Sequence, residues 1–143
     1  VGLKRGAAAS DKSAQAVPTG QAAAADGARG VEFKLRMRVT QGELIAIGPG
    51  KIALLEALDG AGSITAAAKA MGMSYRRAWL LIDELNHSLR EPAVSTAAGG
   101  AQGGGSALTD SGRALVALYR RIEAEALAHC APDIDQLMKM LAD

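Results

Sequence analysis

The chain has 143 residues, about one domain's worth, and its 16 Lys and Arg nearly balance 15 Asp and Glu, so net charge (+1) does not single out a nucleic-acid partner. Hydrophobic residues make 49% of it, yet with one Phe, one Trp and two Tyr the core has to be built from Leu, Ile, Met and Val. The single cysteine, Cys130, excludes an internal disulfide and a thiolate cluster, no apolar run reaches membrane-spanning length, and the first residues carry no signal-like apolar core; the expectation is a cytoplasmic protein.

Residues 1–30 are mostly Ala, Gly, Ser, Gln and Asp with no sustained apolar period, and are read as a disordered tail. Order is predicted from Val31. There Val31, Phe33, Leu35, Met37 and Val39 alternate with Glu32, Lys34, Arg36 and Arg38, the period of a strand with one buried face. Thr40, Gln41 and Gly42 predict a turn, and Glu43 to Ile47 a short returning strand. A hairpin this small needs helices or a second subunit against it. Lys34, Arg36 and Arg38 then read as a wet strand face, with a DNA-facing stripe as the rarer meaning. Gly48-Pro49-Gly50 marks the change to a helix over 50–59, where Ile52, Leu55 and Leu58 form an apolar stripe.

The next stretch is the most informative. Ser63 is placed to cap a helix over 63–71 whose apolar positions are Ile64, Ala67, Ala68 and Met71, and Gly72 is placed to close it. Only Met73 precedes Ser74, the predicted cap of a second helix over 74–90. That helix buries Ala78, Leu81, Ile82, Leu85 and Leu89 before Pro92 stops it. Two helices on so tight a turn describe a helix-turn-helix, whose second helix enters the major groove by its N-terminal turns. Here those turns carry Ser74, Tyr75, Arg76 and Arg77, and paired arginines can meet phosphates or guanine edges. Double-stranded DNA is the predicted partner.

Residues 93–109 read as strand, glycine-rich loop and strand, with Gly103, Gly104 and Gly105 consecutive. Helix, strand, loop, strand, helix is the order of a winged helix. A nucleotide-binding loop competes, but no GKS or GKT follows the glycines. Thr109 or Asp110 caps a helix over 110–130, whose apolar face holds Leu115, Leu118, Tyr119, Ile122 and Ala126. That face is larger than a small domain requires. It predicts a homodimer, with packing onto the chain's own core as the rival. Pro132 opens a last helix over 132–141, with Ile134, Leu137, Met138 and Leu141 expected inward. His87 and His129 lack zinc-site spacing, and Ser63 and Ser74 read as caps before nucleophiles. No catalytic residue, metal or cofactor is predicted; the fold class is mainly α with small β elements.

GPGK at 48–51, GSI at 62–64, MSYRRAW at 73–79, the glycine loop and LTDSG at 108–112 together closely resemble the N-terminal DNA-binding domain of the ModE family of molybdate-responsive transcriptional regulators. That domain is a winged helix related to the LysR-type one, and the resemblance covers about 44–128. It implies that Ser63 and Thr65 approach phosphate and that Ser74, Tyr75, Arg76 and Arg77 lie at the DNA. It also implies a wing of Gly99, Gly100, Gly103, Gly104, Gly105 and Ser106, and a Trp79 that locks the reading helix to the core. Full-length members add a C-terminal pair of barrel domains that bind molybdate; with its last residue at Asp143, the chain is expected to be the single-domain form, without that sensor. They also begin with a dimerising helix where residues 31–47 read as a hairpin. The resulting expectation is a homodimeric transcriptional regulator that reads an inverted repeat and is linked to molybdate or related oxyanion homeostasis. Its rivals are a protein-interaction module on the same fold, and direct sensing of an oxyanion such as molybdate at helix N-termini or a dimer seam.

Overall fold

The computed structural model describes residues 30–96 and 105–142; the expected tail up to residue 29 and the wing positions Gly99, Gly100, Gly103 and Gly104 lie outside the described residues. The elements are β1 (Val39–Gln41), β2 (Leu44–Ile47), α1 (Pro49–Ala61), α2 (Ile64–Met71), α3 (Tyr75–Ser88), β3 (Val94–Thr96), β4 (Ser106–Leu108), α4 (Asp110–His129) and α5 (Ala131–Lys139). Among the described residues the fold is therefore mainly helical, with two antiparallel two-stranded sheets, β1–β2 and β3–β4. Thr40 pairs with Ile45 and Gln41 with Leu44 in the first; Val94 pairs with Leu108 and Thr96 with Ser106 in the second. The described residues group into two compact units, one of 36–120 and one of 30–35 with 121–142.

In the 36–120 unit the core follows the 3.6-residue period. Ile52, Leu55 and Leu58 on α1 have no exposed surface, and Leu54 on its margin is 1% exposed. α2 adds Ile64, Ala67 and Ala68, and α3 adds Ala78, Ile82 and Leu85. Each fully buried leucine or isoleucine is worth about 1.5–3 kcal/mol relative to exposure. The small residues at 67, 68 and 78 leave room for α2 to lie close against its neighbours. Both predicted caps form: the Ser63 hydroxyl accepts the Ala66 amide and the Ser74 hydroxyl accepts the Arg77 amide, each at 3.1 Å. Gly72 closes α2 at φ 69°, where a side chain would be strained, and its N–H reaches back to the carbonyls of Ala68 and Lys69.

β3 and the start of α4 are joined by a clamp built from the LTDSG segment. The Thr109 N–H donates to the Ala93 carbonyl at 2.9 Å, and its hydroxyl donates to the Pro92 carbonyl at 2.7 Å. The same hydroxyl accepts the Gly112 amide at 3.0 Å, which makes Thr109 the cap of α4. Gly112 itself lies against Ala93 so closely that a Cβ there would fall 2.1 Å from the Ala93 oxygen. From the other side, Asn86 of α3 accepts the Ala93 and Val94 amides at 2.8 and 3.2 Å and donates to the Val94 carbonyl at 3.1 Å. One amide side chain thus stands in for a neighbouring strand.

Four expectations need correction. The first strand is not Val31 to Val39: only Val39–Gln41 pairs, and 31–38 carries no strand assignment. The turn falls at Gly42 and Glu43, and the returning strand runs only from Leu44 to Ile47 before Pro49 starts α1, so no β2 residues remain opposite 31–38. Phe33, Leu35 and Met37 are still half-buried while their neighbours are exposed, which is the alternation the sequence shows. Second, Trp79 is 45% exposed and does not lock α3 to the core. The buried stripe runs through Ala78, Ile82 and Leu85, and Trp79 lies about 100° around the helix from Ala78. Third, Leu137 and Leu141 do not turn inward; they are 56% and 61% exposed, and only Ile134 and Met138 are half-buried. Fourth, Tyr119 faces its own chain: it is 5% exposed and its hydroxyl donates to the Met37 carbonyl at 2.8 Å.

Candidate nucleic-acid interface

α3 begins where α2 ends, with Gly72, Met73 and Ser74 between them. Because the Ser74 hydroxyl is committed to the Arg77 amide, the first turn of α3 is held in register while its side chains stay free. Ser74, Tyr75, Arg76 and Arg77 are all exposed, Tyr75 by 53%. Neither arginine has an ion-pair partner among the described residues, and neither does Lys69 in the last turn of α2. Unpaired guanidinium groups on a capped helix end, next to that helix's own positive dipole end, favour an anionic partner.

The other predicted positions sort themselves. Ser63 is half-buried through its capping role and Thr65 is exposed beside it at the start of α2. The eight residues of α2, about 12 Å of helix, separate that pair from the start of α3. Gly105 is exposed and lies against Gly62, and the Ser106 N–H donates to the Gly62 carbonyl at 3.2 Å. The root of β4 is therefore fastened beside the beginning of α2, so Gly105, Ser63 and Thr65 share one neighbourhood. Ser106 is 7% exposed within the sheet, which gives it a packing role at that root. On α4, Leu118 and Ile122 are each 48% exposed, whereas Leu115 and Ala126 are half-buried.

Two residues that no motif argument assigned a role support this surface. Asn86 holds Ala93 and Val94 from α3. Lys51 has a side chain only 7% exposed; its ammonium donates to the Ile45 carbonyl at 2.6 Å and pairs with Glu84 at 3.1 Å. It ties β2, α1 and α3 together at one point. The GPGK segment was the only sign of it in the sequence, and nothing there announced burial.

No family model matches the chain. It is similar to regulators and transport proteins that carry molybdenum in their names or share the ModE name. It is 46% identical over 93 residues, 65% of its length, to the molybdenum transport protein ModE of Azotobacter vinelandii. It is 45% identical over 78 residues to the molybdenum-pterin-binding protein MopB of Rhodobacter capsulatus, and 42% identical over 71 residues to the DNA-binding transcriptional dual regulator ModE of Escherichia coli K12. These matches cover 34%, 29% and 27% of the relatives, so the chain spans about a third or less of the curated proteins it matches. No helix among the described residues is long and apolar enough to cross a membrane.

Proposed function

We propose that the chain is a winged helix-turn-helix module of the ModE kind, a DNA-binding transcriptional regulator linked to molybdenum. The observation that carries the reading is the start of α3: a serine-capped first turn that exposes Tyr75, Arg76 and Arg77, with both guanidinium groups unpaired. The similarity to a DNA-binding transcriptional dual regulator supports it independently. α2 and α3 form the helix-turn-helix, α3 enters the major groove, and β3–β4 with the glycine loop forms the wing. Arg76 and Arg77 contact guanine edges or phosphates, while Ser63, Thr65 and Gly105 lie along the backbone.

The module works as a homodimer in this proposal. Leu118, Ile122 and Leu127 on α4 and Leu137, Met140 and Leu141 at the chain's end are all exposed apolar side chains that a second copy would cover. A two-fold pair reads two half-sites about 34–36 Å apart. Selection from a random duplex library tests both statements: the wild type enriches an inverted repeat, and an Arg76→Ala/Arg77→Ala variant does not. Enrichment of nothing by the wild type would reject sequence-specific binding.

A second reading has one observation in its favour. Trp79, 45% exposed, follows Tyr75 by one turn of α3, and Leu80, 43% exposed, follows Arg76 by one turn, which is more apolar surface than a DNA-reading helix needs. A protein-interaction module would use this patch. It takes over if the selection returns no site.

A further inference from the structure

Beside the start of α3 lies a pocket of about 430 Å³ whose wall combines Arg36, Arg38, Lys51 and Arg77 with Glu43 and Glu84. Leu44, Ile45 and Leu81 add apolar surface to the lining. Four cations against two carboxylates leave an excess of two positive charges. The distribution is more telling than the sum. Lys51 and Glu84 neutralise each other at 3.1 Å, whereas Arg36, Arg38 and Arg77 have no carboxylate partner among the described residues. Three unpaired guanidinium groups around one concavity repel one another, an arrangement that an anion relieves.

The backbone contributes to the same wall. Gly48, Pro49 and Gly50 line it at the start of α1, a 13-residue helix with no side-chain cap and no acidic residue in its first turn. The amides of Gly50 and Lys51 precede the first intrahelical bond, the one from Ile52 to Gly48, and so keep their donors available. Pro49 has no N–H to satisfy, and Gly50 is exposed, with nothing within 4 Å of where a Cβ would stand.

We propose that this pocket is a seat for a tetrahedral oxyanion, gripped by Arg36, Arg38 and Arg77 over the start of α1. The pocket, about 430 Å³, is larger than one such anion needs and its lining is partly apolar, which suits a phosphodiester with its sugars; inorganic phosphate presents the same chemistry free in solution. Arg77 belongs to both the pocket and the reading helix, so the occupant sets where α3 starts in the groove. The DNA source rests on the regulator reading above; the free-anion source does not.

The test uses the full chain and an Arg36→Gln/Arg38→Gln variant. Both residues are exposed and unpaired, so the variant folds, as its circular dichroism checks. In the first arm inorganic phosphate is titrated at constant ionic strength, with the Gly50 and Lys51 amides followed by NMR. In the second, affinity for a duplex is measured against salt. Saturable phosphate binding that the variant weakens about tenfold assigns the seat to a free oxyanion. Absence of phosphate binding, with a salt slope in the variant smaller by about 0.9 per lost contact, assigns it to the DNA backbone. No phosphate binding together with an unchanged salt slope overturns the proposal. If the wild type binds no duplex at all, the regulator reading fails on its own, and the phosphate arm alone decides the pocket.

Discussion

Replacing Gly112 by alanine should separate a structural glycine from an incidental one. The added Cβ would lie 2.1 Å from the Ala93 oxygen and 3.0 Å from its carbonyl carbon. To bring the first contact to even 3.0 Å, α4 or Ala93 must move by about 0.9 Å, a shift of overpacking size. Ala93 cannot yield freely, because Asn86 holds its N–H at 2.8 Å and Thr109 holds its carbonyl at 2.9 Å. Overpacking costs about 1–3 kcal/mol, and loss of the Thr109 bond adds about 0.5–1.5 kcal/mol. The helical preference of alanine over glycine returns about 0.5–1 kcal/mol. The net expectation is a loss of about 1–3 kcal/mol. Gly60→Ala is the matched control: it also lies in a helix, and its Cβ would meet nothing within 4 Å. Urea unfolding followed by circular dichroism, at one protein concentration, should show Gly112→Ala destabilised and Gly60→Ala unchanged or up to about 1 kcal/mol more stable. Equal behaviour of the two variants would refute the clamp argument.

Three further outcomes are expected. Asn86→Ala removes the acceptor of two amides at buried Ala93 and Val94, costs about 1–3 kcal/mol, and accelerates hydrogen exchange at those two amides; unchanged protection there would contradict the role given to Asn86. Lys51→Ala strips the Ile45 carbonyl and Glu84 of their shared donor and costs about 1–3 kcal/mol, read as a shift in the urea midpoint, with a wild-type midpoint counting against it. Ser74→Ala loses the cap of α3 and costs about 1 kcal/mol; Ser74→Asp restores most of it, and a variant as stable as the wild type would show the cap to be idle.

The helical part of this fold was legible because helices depend on local signals. Ser63, Gly72 and Ser74 announce ends, and Ile52, Leu55, Leu58, Ala78, Ile82 and Leu85 keep helical spacing, so structure and sequence agree there within a residue or two. What failed depends on partners. Alternation at Val31 to Val39 describes a half-buried extended segment, but a strand also needs residues opposite it, and Pro49 ends the returning strand too soon to supply them. The family resemblance implies a core role for Trp79, whereas its angle around α3 places it outside. Tyr119 read as one more apolar position on α4; its bond to Met37 spans 82 residues and no local pattern could reveal it. The candidate site was half legible. Tyr75, Arg76 and Arg77 follow from the helix start, but gathering Arg36 and Arg38 beside Arg77 is a product of tertiary packing.

The central claim is that Arg76 and Arg77 read DNA from the start of α3. It is tested most directly by measuring affinity for the selected inverted repeat and for a scrambled duplex at one fixed salt concentration, with wild type and Arg76→Ala/Arg77→Ala side by side. A bidentate arginine contact contributes about 1–3 kcal/mol of discrimination, so the account predicts a wild-type preference of at least about tenfold that the variant loses. A preference retained by the variant, or equal binding of both duplexes by the wild type, would contradict it.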